Sequence, residues 1–216
     1  MIPLLHDFSD ARVLVFGGGP VGARKARRFD REAEVVVVAP EFADADFGDA
    51  TLECASPDPA AVPDWLDRIE PALVVAATDE TAVNAAVETA AEERGMLVNR
   101  ADHAGDRAPG NVILPAIARD DPVVVGISTQ GHAPAVSGVL REEIETEIGG
   151  AGALATFVGD RRERFAERGI DGPHRRDALK AIARSERIRA LVADGKTDMA
   201  REVAEELLTD IQNETD

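Results

Sequence analysis

Short β-branched and apolar runs alternate with alanine-rich amphipathic stretches through the first half of the chain. Val13-Leu14-Val15-Phe16 is apolar without a break and stops at glycines, the pattern of a strand buried on both faces. Residues 21–31 then read as a helix, with Ala23, Ala26 and Ala33 as small packing positions. Val35-Val36-Val37-Val38-Ala39 predicts a second strand, stopped by Pro40. A weaker strand is expected near residues 51–54, inside a polar passage rich in Asp and Pro. Leu73-Val74-Val75-Ala76-Ala77 predicts another buried strand. Thr78-Asp79 then reads as the N-cap of an alanine-rich helix over 83–94, which Gly95 ends, and Met96-Leu97-Val98-Asn99 is the next strand. Strand, helix and strand at this spacing predict an α/β fold, a Rossmann-like doubly wound parallel sheet.

The pattern changes after Pro109-Gly110. Residues 111–117 and 122–128 read as two strands around the turn-like Arg119-Asp120-Asp121, so a hairpin is expected, followed by a helix over about 133–148. Gly149-Gly150-Ala151-Gly152 reads as a hinge. Beyond it Phe157, Phe165, Ile182, Ile188, Leu191, Val203, Leu207 and Ile211 recur among many charges, as in amphipathic helices. Three parts are expected: a dinucleotide domain over 1–112, a small α+β hairpin-plus-helix segment over 113–148, and a helical tail over 149–216.

Composition narrows the function. At 216 residues and 44% hydrophobic, the chain can bury a core. No apolar run approaches the ~18–20 residues that cross a bilayer, and the opening residues lack the basic and apolar regions of a secretory signal. One cysteine, Cys54, supplies neither an internal disulfide nor a metal cluster, and no metal site is expected. A cytoplasmic address follows. Acidic residues outnumber basic ones 41 to 24, for a net charge of −17, and only Lys25, Lys180 and Lys196 are lysines. That field argues against nucleic acid and anionic membranes as partners, and it resembles adaptation to a salty, halophilic cytoplasm. Against such a background, local clusters of arginine stand out.

The loop Gly17-Gly18-Gly19-Pro20-Val21-Gly22 follows a strand and opens a helix, the context in which Gly-x-Gly-x-x-Gly binds a dinucleotide. Gly17 permits the tight turn, Gly19 lets backbone approach a diphosphate, and Gly22 allows close helix–strand packing, with Pro20 and Val21 between them. The diphosphate would sit on the helix N-terminus. The acid usually found at the end of the second strand is absent; Ala39-Pro40-Glu41 stands there, leaving Glu41 as the candidate for the ribose hydroxyls. No arginine is positioned for a 2′-phosphate, so NAD is expected rather than NADP. Thr78 and Asp79, at the carboxyl edge of the sheet, should line the same crevice.

Asn99-Arg100-Ala101-Asp102-His103 ends a strand on the side where open α/β sheets bind ligands. Asp102 reads either as a general base for a proton lost alongside hydride transfer or as the cap of a turn. His103 is a possible shuttle or ligand, although a lone histidine is more often neither. His132 sits in Ser128-Thr129-Gln130-Gly131-His132-Ala133-Pro134, which is either an anion-holding loop or a polar turn. Arg24-Lys25-Ala26-Arg27-Arg28 is either a solvated helix face or a patch for an acidic ligand, to which Arg100, Arg107 and Arg119 would add.

Taken together, these motifs resemble one family. Pro3-Leu4-Leu5-His6-Asp7, the run from Val15 through Gly22 to Ala26, Ala76-Ala77-Thr78-Asp79, Asn99-Arg100-Ala101-Asp102 and Ile113-Leu114-Pro115-Ala116 are similar to precorrin-2 dehydrogenase. So are Ile127 to Pro134 and Leu140-Arg141-Glu142. This is the dehydrogenase/ferrochelatase module of siroheme synthases, and the resemblance runs in order over about 1–148. It implies NAD-dependent oxidation of precorrin-2 to sirohydrochlorin, in some members with insertion of ferrous iron. It further implies a homodimer formed through about 113–148 and a catalytic Asp102. The cofactor would lie on Gly17, Gly19, Pro20, Val21, Gly22, Thr78 and Asp79, and the polycarboxylate substrate near Arg24, Arg28, Arg100 and Ser128. The family often carries two serines and two glycines where this chain has Ser128-Thr129-Gln130-Gly131. The length leaves no room for a methyltransferase domain, so methylation is expected of another protein. A regulatory NAD-sensing domain, or an oxidoreductase for another acidic metabolite, are the competing readings.

Overall fold

The computed structural model describes residues 2–102 and 111–213. They fall into two compact units, Met1–Leu114 and Pro115–Asp216. In the first, β1 (Arg12–Phe16), α1 (Pro20–Phe29), β2 (Glu34–Ala39), β3 (Thr51–Cys54), α2 (Val62–Ile69), β4 (Leu73–Ala76), α3 (Thr81–Glu93) and β5 (Leu97–Arg100) follow in order. The five strands are parallel in the order β3-β2-β1-β4-β5. The order reverses between β1 and β4, and a doubly wound sheet opens its ligand crevice at that switch point.

The sheet is two-faced because side chains alternate along a strand. Leu14, Phe16, Val36, Val38, Val74, Ala76 and Val98 pack with Val62 and Leu66 of α2 and with Val83, Val87 and Ala91 of α3. Val13, Val15, Val35, Val37, Leu73 and Val75 turn the other way, onto Ala23, Ala26 and Phe29 of α1. Both faces are covered, which is why these strands lack a polar alternation. α3 starts two residues earlier than the expected 83, and Gly95, with φ +66°, ends the chain's helical course there. Past β5 the chain returns alongside it, through a parallel bridge of Asn111 to Val98 and a hydrogen bond from Val112 N to Val98 O.

The second unit opens with the hairpin of β6 (Ala116–Asp120) and β7 (Val123–Ile127), antiparallel as expected. Its turn falls on Asp121-Pro122 rather than on 119–121, because Asp120 pairs with Val123. α4 (Pro134–Glu147) packs on the hairpin and is followed by α5 (Ala151–Glu167), α6 (Gly172–Arg184), α7 (Glu186–Ala193) and α8 (Thr197–Asn213). α5 to α8 enclose their own core of Phe157, Phe165, Ile182, Ile188, Val203 and Leu208. Gly150, in the left-handed region at φ +85°, makes the turn into α5, and Asp120 accepts from Gly152 N at 2.8 Å. The hairpin, α4 and the tail helices thus belong to one unit.

Candidate active site

The crevice of the first unit is built from the loop between β1 and α1. α1 has Gly19 as its N-cap and Pro20 at its start, with no side-chain cap and no acid in the first turn. Its leading amides and the positive end of its dipole are therefore left for an anion. Gly17, at φ +121°, has no room for a Cβ beneath the Ala77 carbonyl, and a Cβ at Gly22 would overlap the Gly17 carbonyl. Those two glycines are required by the chain's own packing. Gly19 is not: a Cβ there would meet nothing within 4 Å, yet Gly19 borders the cavity. The space over Gly19 is room the polypeptide leaves unused, at the point where a diphosphate would approach the backbone.

The cavity measures about 400 Å³ and is bounded by residues 17–19, 38–43 and 77–80, with Ser56, Pro57 and Val83. It thus lies across the carboxyl ends of β1, β2 and β4. Glu41, Thr78 and Asp79 line it as the sequence predicts, whereas Pro20, Val21 and Gly22 form the helix start behind it. Gly18 is a position the glycine pattern leaves unassigned. It is enclosed by the Glu41 carbonyl and the Ala39 side chain, and its own carbonyl accepts from Ala43 N at 2.8 Å. The cavity-lining side chains include the acids Glu41, Asp79 and Glu80 and no basic residue.

Thr78 does not cap α3. Its hydroxyl donates to Asn84 Oδ1 at 2.8 Å, Thr78 N donates to the same oxygen at 3.1 Å, and Asn84 Nδ2 donates to the Thr78 carbonyl at 2.8 Å. Asn84 is 1% exposed, and it lies near enough to the Asp102 carboxylate to help keep it ionised. A buried amide thus stands between the cofactor corner and the predicted catalytic acid. Sequence reasoning passed over Asn84, which in an alanine-rich helix carries no signal beyond being the polar residue on a buried face.

Asp102 stands two residues beyond β5. Arg100 Nε and Nη2 grip its two oxygens at 2.9 and 2.6 Å, and Arg100 Nη1 donates to Glu88 at 2.7 Å. This forked pairing, with a smaller contribution from nearby Asn84, holds the Asp102 carboxyl down at about 2. Asp102 is therefore an anion at any neutral pH. Arg100, expected near substrate, has a side chain only 4% exposed, and its guanidinium nitrogens are paired with Asp102 and Glu88. A strand-end arginine two residues from an acid looks the same in sequence whether it points out or in.

The cation cluster on α1 also divides. Lys25 turns inward, donating to Asn99 Oδ1 at 3.1 Å, while Asn99 Nδ2 donates to Val112 O at 2.7 Å. Arg27 pairs with Asp46 at 3.3 Å on the surface. Arg24 is exposed and Arg28 partly so, and neither borders the cavity. In the second unit Ser128 is exposed, its Oγ accepting from Gln130 N at 3.1 Å, and His132 Nδ1 lies 3.1 Å from Thr129 O. Thr129, rather than Ser128, secures the loop, meeting Ser137 Oγ and accepting from Ala133 N, both at 3.2 Å. His103 and Arg107 lie outside the described residues.

Residues 4–116 match the model of a protein family, NAD_binding_7, described as NAD(P)-binding. The chain belongs to this NAD(P)-binding family. The match spans every strand of the first unit and the glycine loop at its switch point. Over nearly its whole length the chain is also similar to siroheme synthases. It is 32% identical to siroheme synthase 1 of Aeromonas salmonicida over 218 residues, which is 97% of this chain and 44% of that protein. It is 33% identical to siroheme synthase 1 of Pectobacterium atrosepticum over 222 residues, covering 99% and 44%. The chain spans less than half the length of these relatives. Among solved structures, that of SirC, a precorrin-2 dehydrogenase, superposes with a TM-score of 0.69 at 22% identity, covering 99% of this chain and 100% of that one.

Proposed function

We propose that the chain is a precorrin-2 dehydrogenase, oxidising precorrin-2 to sirohydrochlorin with NAD in siroheme biosynthesis. The observation that carries this is the buried Asn84, which is hydrogen-bonded to the cavity corner at Thr78 and lies beside the ionised Asp102. A fixed anion thus stands near the edge of a dinucleotide crevice. The reaction removes two hydrogens, one as hydride accepted by the nicotinamide ring and one as a proton. Asp102 sits below the range of an efficient general base at neutral pH. Its role is to stabilise positive charge that develops as hydride leaves, and it takes the proton when Arg100 loosens its grip. The motif order and the siroheme synthase relatives support the substrate. The acidic rim of Glu41, Asp79 and Glu80 supports NAD over NADP, because a 2′-phosphate would meet like charge.

Arg24, Arg28 and Ser128 remain the proposed contacts to substrate carboxylates. The homodimer is supported by α4, which buries no residue and exposes Val136 at 49%, Val139 at 56% and Leu140 at 37%. Cytoplasmic residence fits a soluble cofactor, and among the described residues no helix is long and apolar enough to cross a membrane.

The test supplies precorrin-2 generated in situ with NAD and follows sirohydrochlorin by absorbance. Asp102→Asn lowers turnover by roughly 10²–10⁴-fold while NAD affinity holds. NAD binding without turnover of precorrin-2 in the wild type would return the chain to the sensor reading. Adding ferrous or cobaltous ion to the same assay decides whether metal insertion follows, with the ion as substrate.

A further inference from the structure

The second unit contains a charged concavity that the dehydrogenase reading leaves without a role. Arg161 and Arg164 on α5 and Arg201, Glu202 and Glu205 on α8 line about 370 Å³, within the size range of small-molecule pockets. Arg161 is 6% exposed. Arginine is rarely so deeply covered unless it is paired. Here Nε is shielded from solvent and meets no acceptor among the described residues. Its Cζ is 5.6 Å from the Phe157 ring centroid, near the outer limit of a cation–π contact.

Two nearby carboxylates are already paired, one of them with Arg201 of this lining. Glu205 accepts from Arg168 Nη1 and Asp198 accepts from Arg201 Nη1, each at 2.6 Å. Burial, then the charges of Arg201 and Arg164, pull the proton affinity of Arg161 downward, against the weaker opposing pull of Asp160 and Glu205. Three guanidinium groups thus share this lining with two carboxylates, in a chain whose net charge is −17.

We propose that this concavity binds a small oxyanion, the phosphate or carboxylate group of a metabolite, held by Arg161, Arg164 and Arg201. Planar guanidinium groups suit such groups because parallel N–H donors match two oxygens of one anion. An anion would give the buried Arg161 cation the counter-charge it lacks and offset the mutual repulsion of the three cations. The site is independent of the glycine loop, since all its residues belong to α5 and α8.

The probes are pyrophosphate and citrate, titrated into the full chain at constant ionic strength while thermal unfolding is followed by far-UV circular dichroism. At least one raises Tm saturably, and Arg164→Gln and Arg201→Gln, both surface changes, each weaken the apparent affinity about tenfold or more. Arg161→Met abolishes the response and raises Tm when no probe is present, because an unpaired buried cation is removed. A response to pyrophosphate alone assigns the site to phosphates, and one to citrate alone assigns it to carboxylates. Excluded kosmotropic anions stabilise proteins without binding, so saturation and the variants decide the matter. No saturable rise with either probe overturns the proposal. So does a rise of the same size in the Arg164→Gln and Arg201→Gln variants, which would place binding elsewhere.

Discussion

Arg100 decides what Asp102 can do. Because the pairing depresses the carboxyl to about 2, its stabilising contribution is complete above the ordinary carboxylate value near 4 and is lost as pH falls toward 2. Acid unfolding of the wild type should therefore show a component in that window which Arg100→Met removes, measured by circular dichroism against pH. The same sign implies that the acid limb of kcat, if one appears between pH ~5 and ~7, belongs to another group, and Asp102→Glu should leave its midpoint in place. Asn84→Ala leaves the Thr78 amide and carbonyl short of a partner, so about 1–3 kcal/mol of stability is expected to go. If Asn84 positions both ends of the site, that variant also raises the Kd for NAD and lowers kcat together, an effect that calorimetry and turnover distinguish from simple destabilisation. None of this network was legible in the sequence. Asp102 was found because it follows a strand, but its partners come from α3 and from an inward arginine, and neither choice leaves a local pattern.

The β1–α1 loop separates two reasons for glycine. Gly22→Ala and Gly17→Ala force backbone overlap and should cost about 1–3 kcal/mol or more, seen as a lower Tm. Gly19→Ala has open space around its new methyl, so the fold should tolerate it while NAD affinity falls at least tenfold by calorimetry. Unchanged affinity in that variant would refute the placement of the diphosphate. At this scale the sequence was largely readable, because a buried parallel strand must be apolar on both faces and a glycine loop must interrupt it. The errors fall at boundaries. The hairpin turn moved to Asp121-Pro122, and α3 began at Thr81, because pairing register and Asn84 outweigh local turn and cap signals. On α4, Leu140→Glu is expected to shift a dimer toward monomer in light scattering if its apolar face is the contact.

Charge acts on the whole molecule. A net −17 repels itself in dilute buffer, and raising potassium chloride from about 0.1 M to 1 M shortens the screening length from ~10 to ~3 Å, so Tm should climb with salt. A flat response would mean that self-repulsion does not limit the stability of the fold. The two units keep separate cores, one sandwiched around the parallel sheet and one inside the helices α5 to α8. Trp65, on α2 against the sheet core with the Arg68 guanidinium 4.0 Å over its ring, is the chain's one tryptophan, and there is no tyrosine. Its emission is therefore a private optical channel to the first unit, blind to the helices of the second. A melt watched through that channel should move with NAD, while one watched through helix ellipticity follows mainly the second unit, so the two halves of this protein can be timed separately without a label.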